Sequence, residues 1–154
     1  MTREIILLLS TVLLFGSCQN DSYYHQSQAV PDFGWSINHI ISFEDSITSD
    51  APEVMHYEIN LRHNNLYPYQ NLWLYIHTET SDGATRIDSV NLRLSEPNGH
   101  WLGTGWGSLY NISYRLPDLR VKKTIPRRWF KIDIQHGLRD NQLPGVEDVG
   151  ICLF

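Results

Sequence analysis

Met55, Tyr57, Ile59 and Leu61 alternate with His56, Glu58, Asn60 and Arg62, and a period of two held over eight residues is the signature of a half-buried β-strand. The same rhythm returns along the chain. Leu72, Leu74 and Ile76 share one face of a segment running to Thr80, with Trp73, Tyr75 and His77 on the other. Val90, Leu92 and Leu94 alternate with Asn91 and Arg93, and Phe130, Ile132 and Ile134 with Lys131, Asp133 and Gln135. No segment keeps helical spacing over three turns. Ser81-Asp82-Gly83 is a turn signal between Leu72–Thr80 and Arg86–Leu94, so these two segments predict an antiparallel hairpin. Further strands are expected at Ile37–Phe43, Val54–His63, Arg128–His136 and Val149–Phe154, while Leu109–Arg120 reads as irregular with room for one helical turn. Hairpins without intervening helices give antiparallel sheets, and the expected fold is an all-β sandwich of the jelly-roll kind.

The N-terminus is of another character. Ile5 to Phe15 is mostly apolar and reaches about 16 Å as a helix, roughly half of a bilayer core, which suits a signal peptide and not a span. It ends in Leu14-Phe15-Gly16-Ser17-Cys18. These residues resemble the bacterial lipobox, in which small residues admit the peptidase and the cysteine thiol receives a diacylglyceryl group. The resulting division is a signal peptide at 1–17, lipidated Cys18 with a polar tether at 18–30, and a β-sandwich domain at 31–154. The 137 residues left after cleavage are enough for one domain with a real core. Composition agrees: 42% apolar and 19% charged residues suit a folded domain. A net charge of −5 argues against nucleic acid as a partner, since such binding rests on neutralising phosphates. With Cys18 acylated, Cys152 has no partner in the chain; lying between Ile151 and Leu153, it reads as a small buried hydrophobe.

Residues that could carry chemistry are few. Gly103-Thr104-Gly105-Trp106-Gly107 has the wrong spacing for a phosphate loop and reads as a glycine-rich turn or bulge. Seven histidines occur without an HxH or HxxxH pair, and one free cysteine offers no CxxC, so no metal site and no cofactor is expected. A GxSxG elbow is absent, and the adjacent acids Glu44-Asp45 and Glu147-Asp148 read as solvated. Two clusters stand out. Arg120, Lys122, Lys123, Arg127, Arg128 and Lys131 reverse the local charge of an acidic chain. They read either as charge guarding a loop and strand edge or as a contact for an acidic partner or anionic lipid. Trp73 and Tyr75 read as a cover between sheets, the favoured reading, or, with Trp101 and Trp106, as a sugar platform.

Three stretches carry a resemblance: Asn65-Leu66-Tyr67-Pro68-Tyr69-Gln70-Asn71-Leu72-Trp73-Leu74-Tyr75-Ile76, Asn98-Gly99-His100-Trp101-Leu102-Gly103-Thr104-Gly105, and His136-Gly137-Leu138-Arg139-Asp140 with Leu143-Pro144-Gly145-Val146 and Asp148-Val149-Gly150. With the lipobox and the length, the chain resembles the GldH family of gliding-motility lipoproteins of Bacteroidetes. The resemblance implies a place in the envelope machinery of gliding, tied to type IX protein secretion, with other envelope proteins as partners and the outer membrane, on its periplasmic side, as location. It implies no catalytic residues. The expected function is therefore non-enzymatic, through protein contact, with a carbohydrate-binding jelly-roll lipoprotein as the alternative.

Overall fold

A computed structural model describes residues 22–154; Cys18, the expected signal peptide and the first residues of the expected tether lie outside that range. Every regular element within it is a β-strand: β1 Tyr24–Ala29, β2 Trp35–Ser36, β3 Ile41–Ile47, β4 Val54–Met55, β5 Tyr57–Asn64, β6 Asn71–Thr80, β7 Thr85–Arg93, β8 Thr104–Trp106, β9 Leu109–Arg115, β10 Leu119–Arg120, β11 Arg128–His136, β12 Gln142–Leu143 and β13 Val146–Leu153. They form a five-stranded sheet in the order β1-β13-β5-β9-β8 and a four-stranded sheet in the order β3-β11-β6-β7, both antiparallel. Two short ladders, β2–β12 and β4–β10, tie the loops.

When only the eight long strands are counted in chain order, one sheet runs 1-8-3-6 and the other 2-7-4-5. This is the jelly-roll order, with successive strands passing back and forth between the two sheets. The alternation read from the sequence shows why the sheets stack. Tyr57, Ile59 and Leu61 of β5 and Val149, Ile151 and Leu153 of β13 are buried on one inner face. Leu72, Leu74 and Ile76 of β6, Ile41 and Phe43 of β3, and Phe130, Ile132 and Ile134 of β11 are buried on the other. The rings of Tyr24 and Phe130 meet edge to face at 5.1 Å across the gap. Each such fully buried side chain contributes about 1.5–3 kcal/mol, which is how a domain with no internal disulfide holds together.

The hairpin around Ser81-Asp82-Gly83 forms as expected, with Asn71 opposite Arg93 and Glu79 opposite Thr85. Other expectations need correcting. Ile37–Phe43 is not one strand. His39 N–H bonds the Ser36 carbonyl and the Trp35 indole N–H bonds the His39 carbonyl, so residues 36–39 turn and β3 begins only at Ile41. Val54–His63 is interrupted at His56, whose N–H and C=O both pair with Phe154. Leu109–Arg120 holds no helical turn. Tyr110, Ile112 and Tyr114 alternate through β9, which pairs with β5 along its whole length. The stretch assigned to the tether up to residue 30 contains β1, paired with β13 from Tyr24 to Ala29.

Candidate functional site

The three motifs lie far apart in sequence and meet at one end of the sandwich. Pro68 follows a tight turn in which Tyr67 N–H bonds the Asn64 carbonyl and the Asn64 side chain accepts from Leu66 N–H at 2.7 Å. Gly145, at φ +80°, lies against this turn so closely that a Cβ on it would sit 2.2 Å from Tyr67 N. Asn64 N–H in turn bonds the Gly145 carbonyl at 2.8 Å. The second motif closes from the other side, where the Trp101 indole N–H donates to Asn65 Oδ1 at 3.0 Å. The third reaches across through Asp140, which accepts a 2.8 Å bond from the Tyr69 hydroxyl.

Beneath these contacts is an aromatic cluster centred on His63. Its ring stacks on Tyr110 at 5.5 Å and takes the edge of Trp101 at 4.7 Å, with Tyr67 at 5.9 Å. Burial pushes the His63 pKa down, opposed by the Asn64 carbonyl, so the imidazole is neutral near pH 7. Tyr67 is buried with its hydroxyl on the Asn71 carbonyl, and burial raises its pKa far above the usual phenol range. A second buried histidine, His136, contacts the Trp35 carbonyl at 3.1 Å and is likewise held neutral by burial. The next residue, Gly137, leaves room for the Tyr75 ring, which would lie 2.8 Å from any Cβ placed there.

The cluster packs His63 among Tyr67, Trp101 and Tyr110 under the three motifs. Its outer rim mixes apolar Phe33 and Leu66 with polar Asp32, Asn64 and Glu147. A cleft of about 280 Å³ runs between the Pro31–Gly34 turn and Pro144–Glu147. Phe33 and Leu66 flank it, 73% and 72% exposed. The opposite end carries a close His–carboxylate pair, His56 Nδ1 to Asp118 Oδ1 at 2.7 Å. Asp118 is held below the ordinary carboxylate range chiefly by that bond, and also by the charges of Arg115 and Arg120. Among the described residues no group of three or more His, Cys, Asp or Glu is placed to hold a metal.

The six cations do not make one surface. Arg128 is buried, and its guanidinium donates to the carbonyls of Thr48, Ala51, Pro52 and Val121. It clamps the loop at 48–52 to the chain at Val121 and is not a contact residue, which corrects its place in the cluster. Lys131 lies on the outer face of the four-stranded sheet, paired with Asp133 at 2.8 Å. Arg120, Lys122, Lys123 and Arg127 remain exposed; Asp50 and Asp82 nearby are held below the ordinary carboxylate range chiefly by hydrogen bonds from Thr48 and Thr80, with Lys123 and Lys122 adding a smaller effect.

The four rings do not form one platform either. Trp73 and Tyr75 stand on the outer face of β6, 41% and 51% exposed, so they do not cover a gap between sheets. Trp101 belongs to the His63 cluster, and Trp106 projects from β8 almost fully exposed. Cys152 also departs from expectation. It sits half-buried on the outer side of β13 because its neighbours Ile151 and Leu153 take the core face, and burial raises its thiol pKa. The His63 cluster escaped the sequence reading, although the alternation of Tyr110, Ile112 and Tyr114 beside an inward His63 was its available signal.

The model of the family described as GldH lipoprotein matches residues 22–153, the whole of the domain just described. The chain belongs to the GldH lipoprotein family. Two relatives place that membership in named proteins. The chain is 29% identical to the gliding motility lipoprotein GldH homolog of Christiangramia forsetii, over 96% of this chain and 92% of that one. It is 29% identical to the gliding motility lipoprotein GldH of Flavobacterium johnsoniae, over 92% of this chain and 86% of that one. Solved structures similar to the chain include that of the infectious bursal disease virus Gx strain, at a TM-score of 0.29 and 12% identity, covering 86% of this chain and 32% of that one. At that score it bears on neither fold nor function.

Proposed function

We propose that this GldH-family chain is a lipid-anchored, non-enzymatic component of the gliding-motility machinery, linked to type IX protein secretion and acting by protein–protein contact. The observation that carries the reading is the family match over the entire domain, together with relatives named for gliding motility. The motif end supplies the contact surface: a rigid aromatic scaffold with Phe33 and Leu66 presented beside a cleft. Cys18 is the acylation site, and two or three acyl chains suffice for stable attachment where one myristoyl group does not. The anchor faces the periplasm from the outer membrane, and confinement to that plane raises the effective concentration of weak partners.

Two variants test the reading in the native host. Cys18→Ala is expected to leave the membrane fraction and to lose surface movement; a variant that stays membrane-bound and fully active would contradict the anchoring. Phe33→Glu with Leu66→Glu is expected to fold with an unchanged melting temperature, keep its anchor and lose movement, since both side chains face solvent. Normal movement with that pair would place the contact surface elsewhere.

A second reading keeps one specific support. Trp73 and Tyr75 lie two residues apart on an exposed face, with Asn91, Ser89 and Gln135 as polar neighbours in register, an arrangement suited to stacking a glycan. A glycan array probed with the whole protein decides it, and silence across the array would remove it.

A further inference from the structure

β7 is an edge strand of unusual openness. In the β6–β7 ladder Thr80 N–H bonds the Ala84 carbonyl and Leu94 N–H bonds the Gln70 carbonyl. The hydrogen-bonded pairs are therefore the even positions of β7, Arg86, Asp88, Val90 and Leu92. The backbone N–H and C=O groups of Thr85, Ile87, Ser89 and Asn91 point away from the sheet. None of them has a protein partner among the described residues; the first neighbour so engaged is Arg93, whose carbonyl takes the Tyr114 hydroxyl. The side chains at these open positions are uncharged, and Ile87 is 75% exposed.

Natural edges are blunted by charge, proline, shortness or cover. β8 has three residues and includes Gly105. β3 carries Glu44 and Asp45, and its Ser42 carbonyl is capped by the Gln28 side chain. β1 is the strand through which the chain arrives from its N-terminal segment. β7 has no proline, no bulge and no outward charge before Arg93.

The strand is also self-complementary. Placing a two-fold axis at Ile87 sets Ile87 against its own copy, Thr85 against Ser89, and Arg86 against Asp88 in both directions. Within one chain Arg86 Nε already lies 2.6 Å from Asp88 Oδ2, so two copies would close a four-charge ring with no like charges opposed. An axis at Ser89 would instead set Asp88 against Val90 and Arg86 against Leu92. An axis at Asn91 would need the Arg93 carbonyl that Tyr114 occupies. Only the first register joins charge to charge and covers the exposed isoleucine.

We propose that two copies of this chain pair antiparallel through β7 about Ile87, joining their four-stranded sheets into one sheet of eight. Three residue pairs then exchange backbone bonds across an isologous interface. A strand-edge contact of this size is weak in solution, and confinement of both copies to one membrane raises its occupancy. The pairing does not depend on a role in movement, so it can fail while the gliding reading stands, and the reverse.

The test uses the full chain in envelope membranes, with Cys152→Ser as background. Ile87→Cys treated with a short bis-maleimide should give a crosslinked homodimer, and Glu44→Cys on the guarded edge should not. Adding Ser89→Pro should abolish the product, because the Ser89 N–H points outward and its loss removes no bond within the sheet. Ser89→Lys keeps the test valid if the proline variant does not fold: it places a charge at an open position and should lower the dimer yield about tenfold. No homodimer at position 87 above the Glu44→Cys level, or a product joining position 87 to a different protein, would overturn the proposal.

Discussion

Arg128 shows how little a residue's charge says about its task. It sits in a run of cations, yet its guanidinium is buried against four loop carbonyls, the arrangement that keeps a buried charge affordable. Arg128→Ala should cost about 3 kcal/mol in urea unfolding, because it strands carbonyls that no water replaces; Arg127→Ala, at an exposed position, should change stability by under about 0.5 kcal/mol. The buried histidines give a pH dependence of definite sign. His63 and His136 have folded pKa values depressed by burial, so the unfolded chain binds more protons just below its own value of about 6.5. Stability is thus full above that pH and falls as pH drops toward 5, before the carboxylates titrate. Urea midpoints at pH 7.5 and 5.5 should show this loss, and His63→Gln with His136→Gln should flatten it. Neither Arg128 nor the histidines were legible beforehand, because burial of a polar side chain depends on loops that only the fold brings together. Cys152 was misjudged for the opposite reason. Its apolar neighbours suggested a core, but in a strand they place it on the other face.

At the scale of elements, legibility followed amphipathic contrast. β5, β6 and β11 alternate apolar with polar residues; the expected bounds match β6 and β11 to within a residue, while the strand expected from Val54 runs through the break at His56 before β5. β9 was missed because both of its faces are mixed: Leu109 points out beside Asn111, while Tyr110 and Tyr114 point in and are only half-buried. β1 was lost in the tether because its residues are polar, and its strand character comes from pairing with β13 and from Tyr24 against Phe130. The turn at residues 36–39 depends on Trp35 reaching the His39 carbonyl, a contact no local rule announces. These differences predict an order of local stability. Amide exchange should be slowest in β5, β6, β11 and β13, which are paired on both sides by long strands, and fastest in β8, which pairs along three residues at an edge. Gly145→Ala should loosen the motif end specifically, since its Cβ meets backbone at 2.2 Å and its φ is positive. The expected signature is faster exchange at Asn64–Tyr67 with β11 unaffected.

For the molecule as a whole, the jelly-roll order follows from strands that cross repeatedly between two sheets; most of the long strands are legible in the sequence, their order is not. What the fold adds is that three motifs, spread from Asn65 to Gly150, close over one aromatic cluster at one end of the sandwich. Their residues explain a shape, and the proposed contact surface is the exposed pair Phe33 and Leu66 beside it. A clean deletion in the native host, scored for surface movement and for type IX cargo in the medium side by side, tests the proposed role in gliding and secretion. Loss of both, restored by the intact gene, is the predicted result; a deletion strain that moves and secretes normally would contradict it.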